Sequence, residues 1–368
     1  MDRDELAAWL RLIETPQVGR ESARKLLAAF GSPQAVLAAP TAARKKIVSV
    51  ATATALAEEP DTVSALVEAT VNWLANATDQ APRQVLTLGD PSYPPLLLEI
   101  ADPPLLLYLQ GDATRLHSPG VAVVGSRNPT PQGRENARAF AAHLSQAGLT
   151  IVSGLALGVD GAAHEGGLSG LGRTIAVIGT GLDRVYPRRH LELAHRISAN
   201  GLMLSEYSLG TPPLPANFPM RNRIIAGLTR GTLVVEAALQ SGSLITARLA
   251  SEAGRDVFAI PGSIHSPQSR GCHSLIKQGA KLVDSAQDVL EDLPSFQPPS
   301  RSAMEPPADE ASGDPLLQAL GFDPVTLDAL VARTGWPAAL LNTRLLELEM
   351  EGQVARLPGQ LFQRVSTG

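Results

Sequence analysis

The chain has 368 residues, room for two or three domains, and 44% of them are hydrophobic, enough to bury a sizeable core. Its single cysteine, Cys272, excludes an intrachain disulfide framework or a cysteine-rich zinc site, and no uncharged apolar run reaches the ~18 residues of a membrane span, so no membrane partner is expected. The net charge of −5 argues against nucleic acid only if it is evenly spread. It is not: between Pro119 and Ser285, 16 Lys and Arg stand against 10 Asp and Glu, so this stretch carries +6 and the remainder −11.

The opening MDRDELAAWLRLIE mixes acids with apolar residues at helical spacing, unlike the basic-then-apolar order of a secretory leader; with the lone cysteine, this predicts a cytoplasmic protein. The helical pattern continues to Ala75 and defines a first domain, 1–80. Within it TPQVGRESARKLLAAFGSP reads as two short helices around a glycine turn. Such a hairpin can offer backbone N–H groups to a phosphate of duplex DNA, and plain helix packing is the alternative reading. From Gln84 to Gln110 a proline-broken apolar segment reads as a strap lying on the next domain.

Residues 81–293 then alternate short apolar runs with helical segments, the pattern of a parallel α/β sheet. Expected strands are VAVVG (121–125), TIVSG (150–154), TIAVIG (174–179), LMLSE (202–206), TLVVEA (232–237), DVFAI (256–260) and KLVD (281–284). A linker rich in proline, serine and acids is expected over 294–313. Residues 314–368 follow the order helix, helix, helix, wing of a winged helix-turn-helix. Its second helix, Pro337 to Glu351, sets Arg344 against Glu347, Glu349 and Glu351, which favours a protein-interaction or structural role over a grip on duplex DNA.

Ligands of open parallel sheets bind outside the carboxyl ends of the strands. After VAVVG, Gly125 and Ser126 let an anion approach the backbone, Arg127 adds a bidentate cation, and a helix begins near Gly133. After TIVSG, Asp160 and His164 stand four apart; the pair reads as structural more readily than catalytic, and no catalytic residue is assigned. After TIAVIG, Arg184, Arg188 and Arg189 crowd around Tyr186, cations interleaved with an aromatic as a single strand's phosphates and bases require. Gly179 and Gly181 lack the third glycine of a dinucleotide fingerprint, and no cofactor or metal is expected. In FPMRNRIIAGL (218–228), a helix starting near Pro219 or Met220 puts Arg221 and Arg223, around Asn222, in its first turn. There an anion would offset the helix dipole; at least one arginine is expected to pair with Glu206 or Glu236 instead. Ser241, Gly242 and Ser243 open another helix, and Arg270 sits on a Gly/Ser/Pro loop.

VVGSRNPTPQG, IVSGLALGVDGAAH, AVIGTGLDRVYP, SEYSLG, FPMRNRIIAGL, VVEAALQSGSLITA, VFAIPG and GCHSLIKQGAKLV, in this order over residues 84–290, resemble the DNA-processing protein A (DprA/Smf) family. The resemblance implies a Rossmann-like core that binds and protects single-stranded DNA and loads the RecA recombinase onto it in natural transformation. It further implies a SAM-like N-terminal domain and a winged-helix tail found in some members. On this basis Arg127, Arg188, Arg221 and Arg223 take the family's basic positions, and Leu275, Ile276, Leu282 and Val283 match a region through which Rossmann domains pair into dimers. The enzymatic alternative is a phosphoribohydrolase-like nucleotide-processing hydrolase, which expects a PGGxGTxxE motif; SGSLITA lacks its glutamate.

Overall fold

The computed structural model of the protein describes residues 1–293, 314–321, 323–359 and 361–365; the expected linker at 294–313 lies outside them. The chain opens with helices α1 Arg3–Glu14, α2 Arg20–Phe30, α3 Pro33–Ala38, α4 Thr41–Arg44, α5 Val50–Ala55 and α6 Thr62–Ala75. Asp2 caps α1 by accepting from the Glu5 N–H, and acids in the first turn with Arg11 in the last complement the helix dipole. The face made by Leu6, Trp9 and Leu10 is buried. The stretch Thr15–Pro33, expected to hold two short helices around a glycine turn, instead forms one helix, α2, with Gly19 at its N-cap and Gly31, at φ 86°, at its C-cap; Ser32 then caps α3.

There follow β1 Arg83–Thr87, α7 Pro95–Leu98, β2 Leu106–Gly111, β3 Gly120–Val124, α8 Pro131–Gln146, β4 Thr150–Ser153, α9 Val159–Ser169, β5 Thr174–Val177, α10 Leu191–Asn200, β6 Leu202–Ser205 and α11 Asn217–Gly227. The central region closes with β7 Gly231–Val234, α12 Ser243–Glu252, β8 Asp256–Ala259, α13 Arg270–Lys277, β9 Lys281–Leu282 and α14 Ala286–Asp292. Two compact units result, one from Met1–Ser118 with Thr174–Thr229, the other from Pro119–Arg173 with Arg230–Gly368.

In the first unit the strands run in the order β1-β2-β6-β5, with β5 and β6 parallel and the outer pairings antiparallel. The segment 84–110 is therefore not a strap: its apolar run LLLYLQG is long enough to form β2, buried from Leu106 to Leu109, and its prolines fall in the connection. In the second unit the order β4-β3-β7-β8-β9 is wholly parallel. Every residue of β3, β4 and β7 is buried, as strands covered on both faces must be. Val121, Val123, Leu144, Ile151, Leu233 and Phe258 form the centre of its core.

At the end of that order β9 pairs, among the described residues, with β8 alone and leaves an edge. Leu282 is 47% exposed there, whereas Val283 is fully buried in the same core. Strand alternation makes the two point to opposite sides, so Val283 is withdrawn from the expected interface residues; Leu275 and Ile276 lie half-buried on α13.

The tail folds as α15 Pro315–Leu320, β10 Val325–Thr326, α16 Leu327–Thr334, α17 Ala338–Met350, β11 Val354–Leu357 and β12 Leu361–Arg364. Leu316, Leu330, Leu341, Leu345 and Phe362 build its own core. The expected three helices and hairpin are present, and β10 adds a third strand beside β12. The architecture is thus α/β, with a Rossmann-like, mostly parallel sheet, a helical N-terminal region and a winged-helix tail. Among the described residues no helix is long and apolar enough to cross a membrane.

Val283→Asp should cost about 3 kcal/mol or more in urea denaturation, because it buries a charge, while Leu282→Asp should stay within about 0.5 kcal/mol of the parent. Equal effects would contradict the assignment of the two faces.

Candidate nucleic-acid interface

In the first unit β5 runs into a loop whose geometry is fixed from within. Ser205 donates to the Thr180 carbonyl at 2.7 Å, Thr180 to the Arg184 carbonyl at 2.9 Å, and the Gly210 N–H to Asp183 at 2.8 Å. The loop carries Tyr186, half exposed, and the exposed Arg184, Arg188 and Arg189; Arg184 lies 3.7 Å from Asp183. The Tyr186 ring stands 5.5 Å from that of Phe218, tilted by 40°. Cations and a partly exposed ring pair thus share one strand end.

Phe218 belongs to α11, which begins at Asn217, two or three residues before the expected start at Pro219 or Met220. Arg221 and Arg223 therefore fall beyond the first turn, and both are buried, at 4% and 7% exposure. Arg221 donates to the carbonyls of Val177 and Phe218. Arg223 meets Glu206 through two nitrogens, at 2.9 and 2.5 Å, and its Nε donates to Asp102 at 3.0 Å. The expected pairing of one arginine with Glu206 is present, and neither guanidinium is an exposed cation waiting at a helix end. Asn222 between them is half-buried. Asn217 anchors the helix start by donating to the Gly179 carbonyl at 3.1 Å, and the Tyr207 hydroxyl donates to the Asn217 carbonyl at 3.1 Å. Burial, then the neighbouring Glu206 charge, push the Tyr207 hydroxyl up to about 12.

In the second unit the loops after β3, β7 and β8 gather. The Ser126 N–H donates to the Glu236 carbonyl at 2.7 Å, and Gln268 reaches the Asn128 carbonyl at 3.3 Å. The Ala237 N–H donates to Gln268 and the Gly271 N–H to Ala237, at 2.8 and 2.7 Å. Arg127 is exposed on the loop after β3, and Arg270, expected on a loop, is the exposed first residue of α13; Ser126 is buried with its hydroxyl accepting from the Asn128 N–H. Gly125 is required by packing: a Cβ there would lie 2.8 Å from Val159 and 2.9 Å from the Glu236 carbonyl. Gly158, at φ +84°, comes close enough to the same loop that a Cβ would sit 2.4 Å from the Ser126 carbonyl. Gly242 caps α12, and the Ser241 and Ser243 hydroxyls bond to each other at 2.7 Å, with Ser243 buried.

Asp160 and His164 act as loop supports. Asp160 accepts from the Gly154 and Ala156 N–H groups at 3.1 and 3.2 Å, and fully buried His164 accepts from that of Leu155 at 3.2 Å. Glu236 takes the N–H and hydroxyl of Thr130, at 2.9 and 2.5 Å, just where Thr130 caps α8 through the Gly133 N–H. Sequence reasoning weighed Glu236 as an arginine's partner; the carboxylate instead ties β7 to the loop after β3. Asp102 was missed because it lies 121 residues from Arg223 and nothing local marks it. Phe218 could have been found, as an aromatic inside the arginine motif.

Model sequences for three families align with the chain. The DNA recombination-mediator protein A model matches residues 84–294, the DprA winged helix domain 297–360 and the DprA-like N-terminal HHH domain 3–61. The chain belongs to the DNA recombination-mediator protein A family. Protein Smf of Escherichia coli is 43% identical over 306 residues, 80% of this chain and 79% of that one. DNA processing protein DprA of Streptococcus pneumoniae is 54% identical over 204 residues, 55% of this chain and 72% of that one. The X-ray structure of the S. pneumoniae DprA superposes with a TM-score of 0.68 at 39% identity, over 81% of this chain and 99% of that one. A Helicobacter pylori DprA described for its single-stranded DNA binding mode gives 0.53 at 34% identity, over 58% and 98%.

Burial raises the Glu236 carboxyl above its usual range, against the opposing bonds from Thr130. The folded state therefore holds this proton more tightly than the unfolded chain, and stability falls as pH rises towards the raised value. The stability of Glu236→Gln relative to the parent should increase with pH from about 4 to 7 in denaturant titrations. Parallel pH profiles would contradict this.

Proposed function

We propose that the protein binds single-stranded DNA without sequence preference, protects it, and loads the RecA recombinase onto it in natural transformation and homologous recombination. It does so in the cytoplasm, as a mediator without catalysis of its own. The observation that carries this reading is the cluster of exposed Arg184, Arg188 and Arg189 beside the Tyr186–Phe218 ring pair at the carboxyl end of β5. Exposed guanidiniums can hold phosphates, and an open ring can stack a base for about 1–3 kcal/mol whatever its identity. Within the second unit, exposed Arg127 and Arg270, with Gly125, Ser126 and the Ser241–Gly242–Ser243 turn, offer phosphate contacts of their own. Arg223 and Arg221 serve as braces beneath, with Asn222 between them.

Family membership supports the recombination role, and the H. pylori relative supports the single-stranded substrate. The working division is a helical domain 1–80, a Rossmann-like domain 81–293, a linker 294–313 and a winged-helix domain 314–368. Leu275, Ile276 and exposed Leu282 beside the β9 edge suit a homodimer contact. A duplex contact by α2 has little free charge to use: Arg20 and Arg24 bind Asp102, and Lys25 pairs with Glu21 at 2.7 Å.

Arg127→Ala with Arg188→Ala should weaken binding to oligo-dT and to a mixed sequence by the same factor, at least about tenfold, and lower the salt slope by roughly 1.4, from about 0.7 per lost phosphate contact. Undiminished affinity in fluorescence anisotropy would refute the site. Arg223→Ala should act differently, lowering folding stability by about 3–5 kcal/mol because it strips the buried Glu206 of both its guanidinium hydrogen bonds.

A further inference from the structure

Arg20 and Arg24 project from α2, far in sequence from the arginine motif, yet both end on the carboxylate that holds Arg223. Arg20 Nε donates to Asp102 Oδ2 at 2.7 Å, the same oxygen that accepts from Arg223 Nε at 3.0 Å. Arg24 donates to Asp102 Oδ1 at 2.5 Å and to the Pro103 carbonyl at 3.1 Å. Arg20 also lies 3.9 Å from Glu206. The cluster has positive charges on Arg20, Arg24 and Arg223 and negative ones on Asp102 and Glu206. Its inner pair, Arg223 and Glu206, is 8% and 6% exposed, and its outer members are a third exposed or less. Burial alone would push the Asp102 carboxyl up, but the hydrogen bond from Arg24 and the charges of Arg223 and Arg20 hold it below its usual range.

We infer that Asp102 is a positioning residue that couples the N-terminal helix α2 to α11, so that the helical region sets the pose of Phe218 and Asn222 without itself touching DNA. This inference rests on the single-stranded DNA reading above. A second strut runs parallel to the first: Ser208 donates to Glu14, the last residue of α1, at 2.5 Å, and the adjacent Tyr207 holds the first residue of α11. With both struts in place the start of α11 is fixed from the N-terminal side. Arg20 and Arg24 are already committed to Asp102, and with Glu14, Glu21, Lys25 and Glu206 they line a cleft of about 1100 Å3 whose charges nearly cancel. It lacks the excess of cations that a phosphate track requires.

Two explanations for these arginines give opposite signs. If the cluster were an electrostatic surface for DNA, Asp102→Asn would remove a negative charge and strengthen binding. As a positioning device, Asp102→Asn in the full-length protein weakens binding to oligo-dT several-fold and leaves the salt slope unchanged. Arg20→Gln with Arg24→Gln does the same, and serves as the second variant should Asp102→Asn fail to fold. Tighter binding by Asp102→Asn, or a slope lowered by about 1.4 in the arginine double variant, would overturn the inference in favour of direct phosphate contact. Hydrogen exchange without DNA separates it from the binding reading: α11 amides should exchange at least tenfold faster in the double variant than in the parent. Unchanged exchange overturns the coupling, even if the parent protein binds single strands; a parent that fails to bind them overturns the binding reading and leaves the exchange result to decide the coupling.

Discussion

The first unit is organised around the Arg223 guanidinium, which is held by Glu206 and Asp102 with almost no access to water. Taking a guanidinium and a carboxylate out of water costs several kcal/mol per ion, and only a complete set of hydrogen bonds offsets it. All three guanidinium nitrogens are engaged by these carboxylates, and both Glu206 oxygens face Arg223. That requirement fixes α11 against the carboxyl end of β6 and leaves it little freedom to rotate. The rings, amides and carbonyls at its start inherit their positions from this bond.

The arginines of this acidic protein consequently fall into two kinds. Arg221 and Arg223 point inward, satisfied by carbonyls or carboxylates, and give the site its shape. Arg188 and Arg189 in the first unit, and Arg127 and Arg270 in the second, are exposed on loops or at a helix start held by backbone and hydroxyl bonds, and carry the charge open to solvent. Loops carry the exposed cations because they lie at the carboxyl ends of parallel strands, where helix starts and small residues already favour an anion. The local excess of positive charge in an otherwise negative chain is the sum of both kinds, so charge counting alone overstates how many cations a ligand can meet.

Much of this was legible in the sequence. The apolar runs located the seven central strands, and the residues at the carboxyl end of each strand disclosed the exposed arginines and the helix-opening Ser241–Gly242–Ser243 turn. The features that escaped had a common cause. Asp102 and Arg223 are remote in the chain, and so are Glu236 and Thr130, and pairwise contacts of that range leave no local pattern. The segment Gln84–Gln110 looked like a covering strap because its prolines obscured the short antiparallel strands at its ends. Val283 and Leu282 were grouped together, although strand alternation sends one to the core and the other to solvent.

The central claim is that exposed arginines, shaped by buried ones, make a sequence-tolerant site for single-stranded DNA. Titration of the full-length protein with fluorescent oligonucleotides, single and double stranded, at two salt concentrations tests it most directly. The account predicts tighter binding of single strands of any sequence, with affinity falling steeply as salt rises. Equal affinity for duplex, or binding indifferent to salt, would contradict it.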